Sequence, residues 1–156
     1  MATEIERKYL VKNELWREAV VSQSRMKQGY LSNHGNASIR VRVANDKAFL
    51  NIKSATIGIR RHEFEYEIPL ADADDMLATV AEQPFIDKTR YKVKHGGHIW
   101  DLDVFEGENL GLVVAEVELA TEDESFELPP WSGDEVSGDP RYYNVNLVKE
   151  PYCRWR

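Results

Sequence analysis

The chain has 156 residues, 42% hydrophobic and 30% charged, with a formal charge of −7 near neutral pH. That size suits one domain over residues 1–156 with a proper core, and the acidic balance excludes attachment to nucleic acid or an anionic membrane through net charge alone. A single Cys153 excludes an intrachain disulfide, the opening residues lack a signal peptide's apolar stretch, and no run approaches the roughly 20 apolar residues of a membrane span, so a cytoplasmic chain is expected.

The first stretch, Glu4-Ile5-Glu6-Arg7-Lys8-Tyr9-Leu10, reads as a strand with Glu4, Glu6 and Lys8 on one face and Ile5, Arg7 and Tyr9 on the other. Asn13 caps a predicted helix to about Val21, with Leu15, Trp16, Ala19 and Val20 as its stripe. Met26 to Leu31 reads as a short strand and Ser32 to Asn36 as a turn. Strands around Arg40 and Lys53 form a hairpin through Asn45-Asp46-Lys47, and Thr56-Ile57-Gly58 breaks the chain before a strand from Arg61 to Ile68. Leu70 to Gln83 reads as a helix with Met76, Leu77 and Val80 on one face. Strands around Lys88 and Asp101 pair through His95-Gly96-Gly97-His98. A strand from Leu112 to Leu119 follows. Thr121 with Glu124 predicts a capped short helix, and Asp139-Pro140 opens a last helix carrying Tyr142, Tyr143, Val145 and Leu147.

The same parity recurs along the strands. Arg40 and Arg42 alternate with Ile39 and Val41; Asn51 and Lys53 with Leu50 and Ile52; Arg61, Glu63 and Glu65 with His62, Phe64 and Tyr66. Lys88 and Arg90 alternate with Thr89 and Tyr91, Asp101 and Asp103 with Leu102, and Glu116 and Glu118 with Val117. In this order, E-x-E-x-K, R-x-R, a lone strand Lys, R-x-E-x-E, K-x-R and E-x-E, the chain resembles the CYTH superfamily of triphosphate tunnel metalloenzymes. No single motif is specific; the ordered combination is.

The amphipathic helices need an apolar partner. If they pack on the outer faces of the strands, the charged faces meet inside an α+β fold built on a closed antiparallel eight-stranded β-barrel. The inward set then holds eight cations (Lys8, Arg40, Arg42, Lys53, Arg61, Lys88, Arg90, Lys92) and nine anions (Glu4, Glu6, Glu63, Glu65, Glu67, Asp101, Asp103, Glu116, Glu118). Such an interior must be paired, because isolated buried charges are prohibitively costly. A triphosphate brings about four to five further negative charges, so a balanced lumen holds it only with cations. Glu4, Glu6, Glu116 and Glu118 are oxygen donors suited to Mg²⁺ or Mn²⁺, while the arginines and lysines suit phosphate oxygens.

The resemblance implies the same roles: metal at Glu4, Glu6 and Glu118 with Glu116, and phosphate at Lys8, Arg40, Arg42, Lys53, Lys88 and Arg90, with Arg61 among the bases. Glu63 and Glu65 either help hold metal or orient the bases. It also implies a Lys8 and Tyr30 pair that activates water, since Gln28-Gly29-Tyr30 matches that segment. Lys92, Lys94 and Glu67 lie outside the motif and read as rim charges. The expected reaction is hydrolysis of a small-molecule triphosphate, inorganic tripolyphosphate foremost, with release of orthophosphate. Alternatives are a class IV adenylate cyclase, a thiamine triphosphatase, or a non-catalytic polyphosphate-binding module. Neither nucleic acid nor membrane is an expected partner; homodimerisation is left open. The four histidines read as loop or surface residues and Cys153 as an inert thiol.

Overall fold

The computed structural model describes residues 2–57 and 59–155. Nine strands, β1 (Ala2–Val11), β2 (Val20–His34), β3 (Ala37–Ala44), β4 (Lys47–Ser54), β5 (Arg60–Ile68), β6 (Ile86–His95), β7 (His98–Phe105), β8 (Val113–Glu118) and β9 (Ser132–Glu135), form one antiparallel sheet. Its order is β5-β4-β3-β2-β6-β7-β8-β1-β9, and β1 also pairs with β5, so the first eight strands close into a barrel. β1 makes the closure by serving two partners on one edge: β5 along Ala2–Ile5, and β9 from Tyr9 onward. The tight hairpins are local. Asn45 (φ 55°) turns β3 into β4, and Gly96 (φ 59°) turns β6 into β7, both in the left-handed region that Asn and Gly tolerate.

Register carries the parity around the barrel. Directly opposed residues share a face, and the pairs are Glu6 with Glu118, Lys8 with Glu116, Arg40 with Asn51, Lys53 with Glu63, Arg90 with Asp103, and Glu4 with Arg61 at the closing seam. The expected eight-stranded barrel with its charged interior is thus the observed architecture.

Several elements differ from expectation. The helix predicted to Val21 is a single 3₁₀ turn, Leu15–Ala19, with Asn13 Oδ1 accepting from the Leu15 amide at 3.0 Å. Val20 already belongs to β2, which must run 15 residues because it pairs with β6 through its first half and with β3 through its second. The helix from Leu70 is α1 (Leu70–Thr79); it ends before Val80, which is exposed. Thr121 opens a turn rather than a helix, because the Glu124 carboxylate accepts from the Ala120 amide and meets His98 Nε2 at 2.5 Å. β9 has the sequence Ser-Gly-Asp-Glu, with no strand propensity, and is held by its edge pairing and by Arg7 against Glu135. The last helix is broken at extended Tyr143 into a 3₁₀ turn, Pro140–Tyr142, and α2 (Asn144–Lys149). Gly58, in the expected break, lies outside the described residues. No described helix is long and apolar enough to cross a membrane.

Three apolar clusters hold the barrel. Ile5, Tyr9, Val93, Trp100, Leu102, Ala115 and Val117, on the outer faces of β1 and β6–β8, are covered by Trp16, Leu119 and Trp131. Val41, Val43 and Ala48 lie under Ala73 and Leu77 of α1 and under Ala81. The third cluster departs from the expectation that apolar surface lies only outside. Tyr30, Ile86, Phe105 and Val114 share the inward parity of the charged residues, and they pack against Leu147 and Val148 of α2 and against Tyr142. At the end where β7 finishes and β6 and β8 begin, the interior is therefore closed by α2. The coat is also incomplete, since Phe64 and Tyr66 of β5 are exposed.

Gly29 sets how closely α1 approaches. A Cβ built there would stand 2.7 Å from both Ala81 Cβ and Leu77 Cδ2. Gly29→Ala should cost about 1–3 kcal/mol of stability through overpacking, read as a lower midpoint in chemical denaturation; an unchanged midpoint would show that α1 shifts freely.

Candidate active site

The interior holds a cavity of about 520 Å³. Six bases face it, Lys8 of β1, Arg40 and Arg42 of β3, Lys53 of β4, Arg61 of β5 and Arg90 of β6, against six acids, Glu4, Glu6, Glu63, Asp101, Glu116 and Glu118. The wall is formally neutral but unevenly divided. Glu4 and Glu6 on β1 and Glu116 and Glu118 on the adjoining β8 make an acidic seam, with Glu6 directly opposite Glu118. Arg40, Arg42 and Lys53 occupy the neighbouring strands β3 and β4.

Most charges are paired. Arg61 Nε donates to Glu4 at 2.9 Å, and Lys53 Nζ meets the same carboxylate at 3.1 Å. Lys8 Nζ sits 3.2 Å from Glu116 and donates to the Tyr142 carbonyl at 3.1 Å. Arg42 reaches Glu65 at 3.1 Å and lies over the Phe49 ring at 5.2 Å. Arg40 differs. It is 6% exposed, its Nε has no hydrogen-bond partner, and no carboxylate stands within ion-pairing distance among the described residues. A buried guanidinium without a counter-charge is costly unless an anion completes it.

The titration of the walls follows from this crowding. Burial, then the charges of Glu116 and Glu4, push Glu6 up to about 8. Burial with Glu4, Asp101 and Glu63 also raises Glu118. Burial works against Glu4 and Glu116 as well, yet Lys53 and Arg61 hold the first below its ordinary value, and Lys8 and Arg90 hold the second well below. On the opposite wall, burial and then the positive charges of Arg40 and Arg61 bring Lys53 down to about 8. Burial also pulls on Lys8, but Glu116 and Glu6 keep it above its ordinary value, as an ammonium.

The acidic seam fits a divalent cation by its donor chemistry. Four carboxylates on two paired strands are hard oxygen donors, and burial together with the neighbouring carboxylates raises two of them, Glu6 and Glu118, more than Arg61 and Lys92 offset. Among the described residues no three acidic or imidazole groups already converge as a closed cage.

The sequence-predicted residues divide into those on the wall and those off it. Lys88 stands behind the wall, 0% exposed and 2.8 Å from Asp103. Glu65 is outside the cavity, bonded to Arg42 and to Asn51 Nδ2 at 2.9 Å. Lys8 and Tyr30 both line the cavity, but two of the three Lys8 N–H groups are directed to Glu116 and the Tyr142 carbonyl, while Tyr30 packs into the apolar cluster at the closed end. The sequence reading missed Ser137, Tyr143, Asn144 and Val145, which the chain after β9 brings to the cavity, and His34 at the end of β2. It also gave no role to Asn51, whose amide ties Glu65 in place, or to Asp103. The inward parity of Asn51 and Asp103 was the available signal; for the C-terminal residues there was none.

The CYTH domain family profile matches residues 2–150. An inorganic triphosphatase of Acetivibrio thermocellus is 46% identical over 156 residues, covering 100% of this chain and 99% of that protein. An inorganic triphosphatase of Nitrosomonas europaea is 36% identical over 150 residues, covering 94% and 97%. A crystal structure of an inorganic triphosphatase aligns with a TM-score of 0.70 at 35% identity over 95% of each chain. A Pyrococcus horikoshii protein, 18% identical over 77% of this chain and 80% of that one, shares the fold with a TM-score of 0.60. With a profile match over nearly its whole length and relatives of this similarity, the chain belongs to the CYTH domain family.

Proposed function

We propose that the protein is a divalent-metal-dependent triphosphatase that hydrolyses inorganic tripolyphosphate to orthophosphate and pyrophosphate. Two relatives that cover the chain are named inorganic triphosphatases. The observation that carries the reading to this cavity is Arg40, a buried guanidinium with no protein anion beside it. It stands in a wall whose other charges are largely matched, so the anion that completes it comes from outside.

Charge balance sets the rest. Tripolyphosphate brings about four to five negative charges into a neutral wall, and the acidic seam would repel it. Glu4, Glu6, Glu116 and Glu118 would hold Mg²⁺ or Mn²⁺, with Glu63 and Asp101 the remaining acids on the cavity wall. Such an ion, when bound, supplies Lewis-acid polarisation of phosphoryl oxygens and acidifies a bound water. The chain's own bases then orient the substrate. Arg40, Arg42 and Lys53 face the phosphoryl oxygens from β3 and β4, and Arg61 and Arg90 from the flanking strands. Lys8, held as an ammonium by Glu116 and the Tyr142 carbonyl, donates toward the phosphoryl group, and the Tyr30 hydroxyl on the same cavity orients the attacking water. The new bond joins the water oxygen to the terminal phosphorus; the bridging P–O bond breaks, its electron pair leaves with pyrophosphate, and pyrophosphate takes up the proton that the water gives up. Fixed donors of this kind stabilise charge as it develops in the transition state. Among the described residues the rings lining the cavity are Tyr30, Tyr143 and the His34 imidazole, and they form no stacked pair to clamp a purine or thiazole ring. The reaction fits a cytoplasmic protein with one exposed cysteine.

Phosphate release should appear with tripolyphosphate and Mg²⁺ or Mn²⁺, fall to background with EDTA, and exceed that with ATP or thiamine triphosphate; binding without turnover under every metal would refute the enzyme. Glu6→Gln should abolish release while retaining the thermal midpoint, and wild-type turnover in that variant would remove Glu6 from the metal site. Arg40→Ala loses charge-assisted hydrogen bonds made only to substrate, so KM should rise roughly 10- to 100-fold; an unchanged KM would take Arg40 off the binding wall.

A further inference from the structure

Arg90 reaches the cavity with its guanidinium locked from behind. Asp103 Oδ1 accepts from Nε at 2.8 Å and Oδ2 accepts from Nη2 at 2.9 Å, a two-point fork that leaves Nη1 toward the cavity, 3.6 Å from Asp101. Asp103 is 1% exposed and lies off the cavity wall. Its Oδ2 also accepts from Lys88 Nζ at 2.8 Å, and that ammonium, fully buried, sits 5.4 Å from the Phe105 ring. The register fixes the set, since Arg90 lies opposite Asp103, and Lys88 opposite Phe105.

We propose that Asp103 and Lys88 are positioning residues for Arg90: Asp103 fixes the guanidinium on the cavity wall, and Lys88 offsets the Asp103 charge so that Arg90 keeps its pull on a phosphoryl group. The reason for three members is charge. A fork between Arg90 and Asp103 alone is neutral and would cancel much of the attraction Arg90 exerts. With Lys88 the triad carries one net positive charge, and Arg90 is its member that touches the cavity. Lys88 therefore acts without meeting substrate, unlike the phosphate-gripping role expected from its motif. A buried ion pair is weak ground for stability, because apolar residues of similar volume often replace it without loss. That makes the positional role separable from a structural one. The inference rests on the reading that Arg90 holds phosphate.

The test is tripolyphosphate kinetics with Mg²⁺ on the full chain, with thermal midpoints alongside. Asp103→Asn and Lys88→Met should each raise KM roughly ten-fold and change kcat far less, as expected when a charge-assisted contact is loosened. In an Arg90→Gln background, Asp103→Asn should add almost nothing. The double variant Lys88→Met/Asp103→Leu removes the Lys88–Asp103 pair and leaves Arg90 only Asp101 at 3.6 Å. It should lose less of its midpoint than Asp103→Asn, which also orphans the Lys88 ammonium, yet retain the raised KM, because Arg90 has lost its fork. Recovery of wild-type KM in that double variant, or full additivity of Asp103→Asn with Arg90→Gln, would overturn the proposal. If the double variant does not fold, the Arg90 coupling decides alone. A wild type that releases no phosphate refutes the parent function instead, whereas active wild type with an unaltered Asp103→Asn refutes only the positioning.

Discussion

A closed barrel whose strands alternate charged and apolar residues has one place to put its charges, and they must meet there. Around most of the barrel the ladders set a charged or amide side chain against another on the inward face, from Glu4 opposite Arg61 at the seam to Arg90 opposite Asp103 on the far wall. Confinement raises the electrostatic stakes, because low-dielectric surroundings strengthen both attraction and repulsion. Pairing is consequently dense, and the exceptions to pairing carry information. Among the described residues Arg40 has no carboxylate beside it, and in the acidic seam Glu4 and Glu116 hold close bases while Glu6 has only Arg61 at 3.6 Å and Glu118 has none within ion-pairing distance. At Arg40 the wall is short of negative charge, and at Glu6 and Glu118 it is short of positive charge. A polyanion accompanied by a divalent ion satisfies both deficits at once.

Much of this was legible because a strand's period is two. Parity alone assigned inward positions to Glu4, Glu6, Lys8, Arg40, Arg42, Lys53, Arg61, Arg90, Glu116 and Glu118, and all of them line the cavity. Parity says nothing about depth along the barrel axis. Lys88 and Arg90 share a face, yet one is sealed behind Asp103 and the other reaches the cavity. Depth depends on how neighbouring strands are staggered, which no single strand encodes. The same limit hid the apolar inward residues Ile86, Phe105 and Val114, which continue the charged rows into the closed end.

The elements misread were those decided by tertiary partners. Leu15 to Val20 carries a helical stripe, but six residues are too few to offset helix nucleation, and β2 gains more by extending far enough to serve both β3 and β6. β9 has no propensity of its own; it exists because β5 leaves the edge of β1 free beyond Ile5, and unpaired backbone groups there would otherwise be unsatisfied. That late addition has a functional reach. Ser137, just after β9, accepts from the Lys8 amide at 2.9 Å, and the Tyr142 carbonyl takes the Lys8 ammonium. The end of the chain thus holds a side chain supplied by its beginning.

The interior contributes little to stability, so the fold must be held from elsewhere. Desolvating so many charges costs several kcal/mol for each, and good pairing only approximately offsets it. The net gain comes from the two outer clusters and the α2 end, where buried aromatic and aliphatic side chains earn the usual area term. This division explains where large residues are concentrated. Trp16, Trp100 and Trp131 gather outside β1 and β6–β8, behind the strands that carry Glu6, Glu116, Asp101 and Arg90, with Trp100 and Trp131 edge to face at 5.4 Å. The strands bearing Glu6, Glu116 and Arg90 therefore have the heaviest packing behind them. By contrast, the outer face of β5 leaves Phe64 and Tyr66 exposed. Rigidity is placed where displaced charges would do most damage to the site, which follows from requiring a costly polar interior to keep one arrangement.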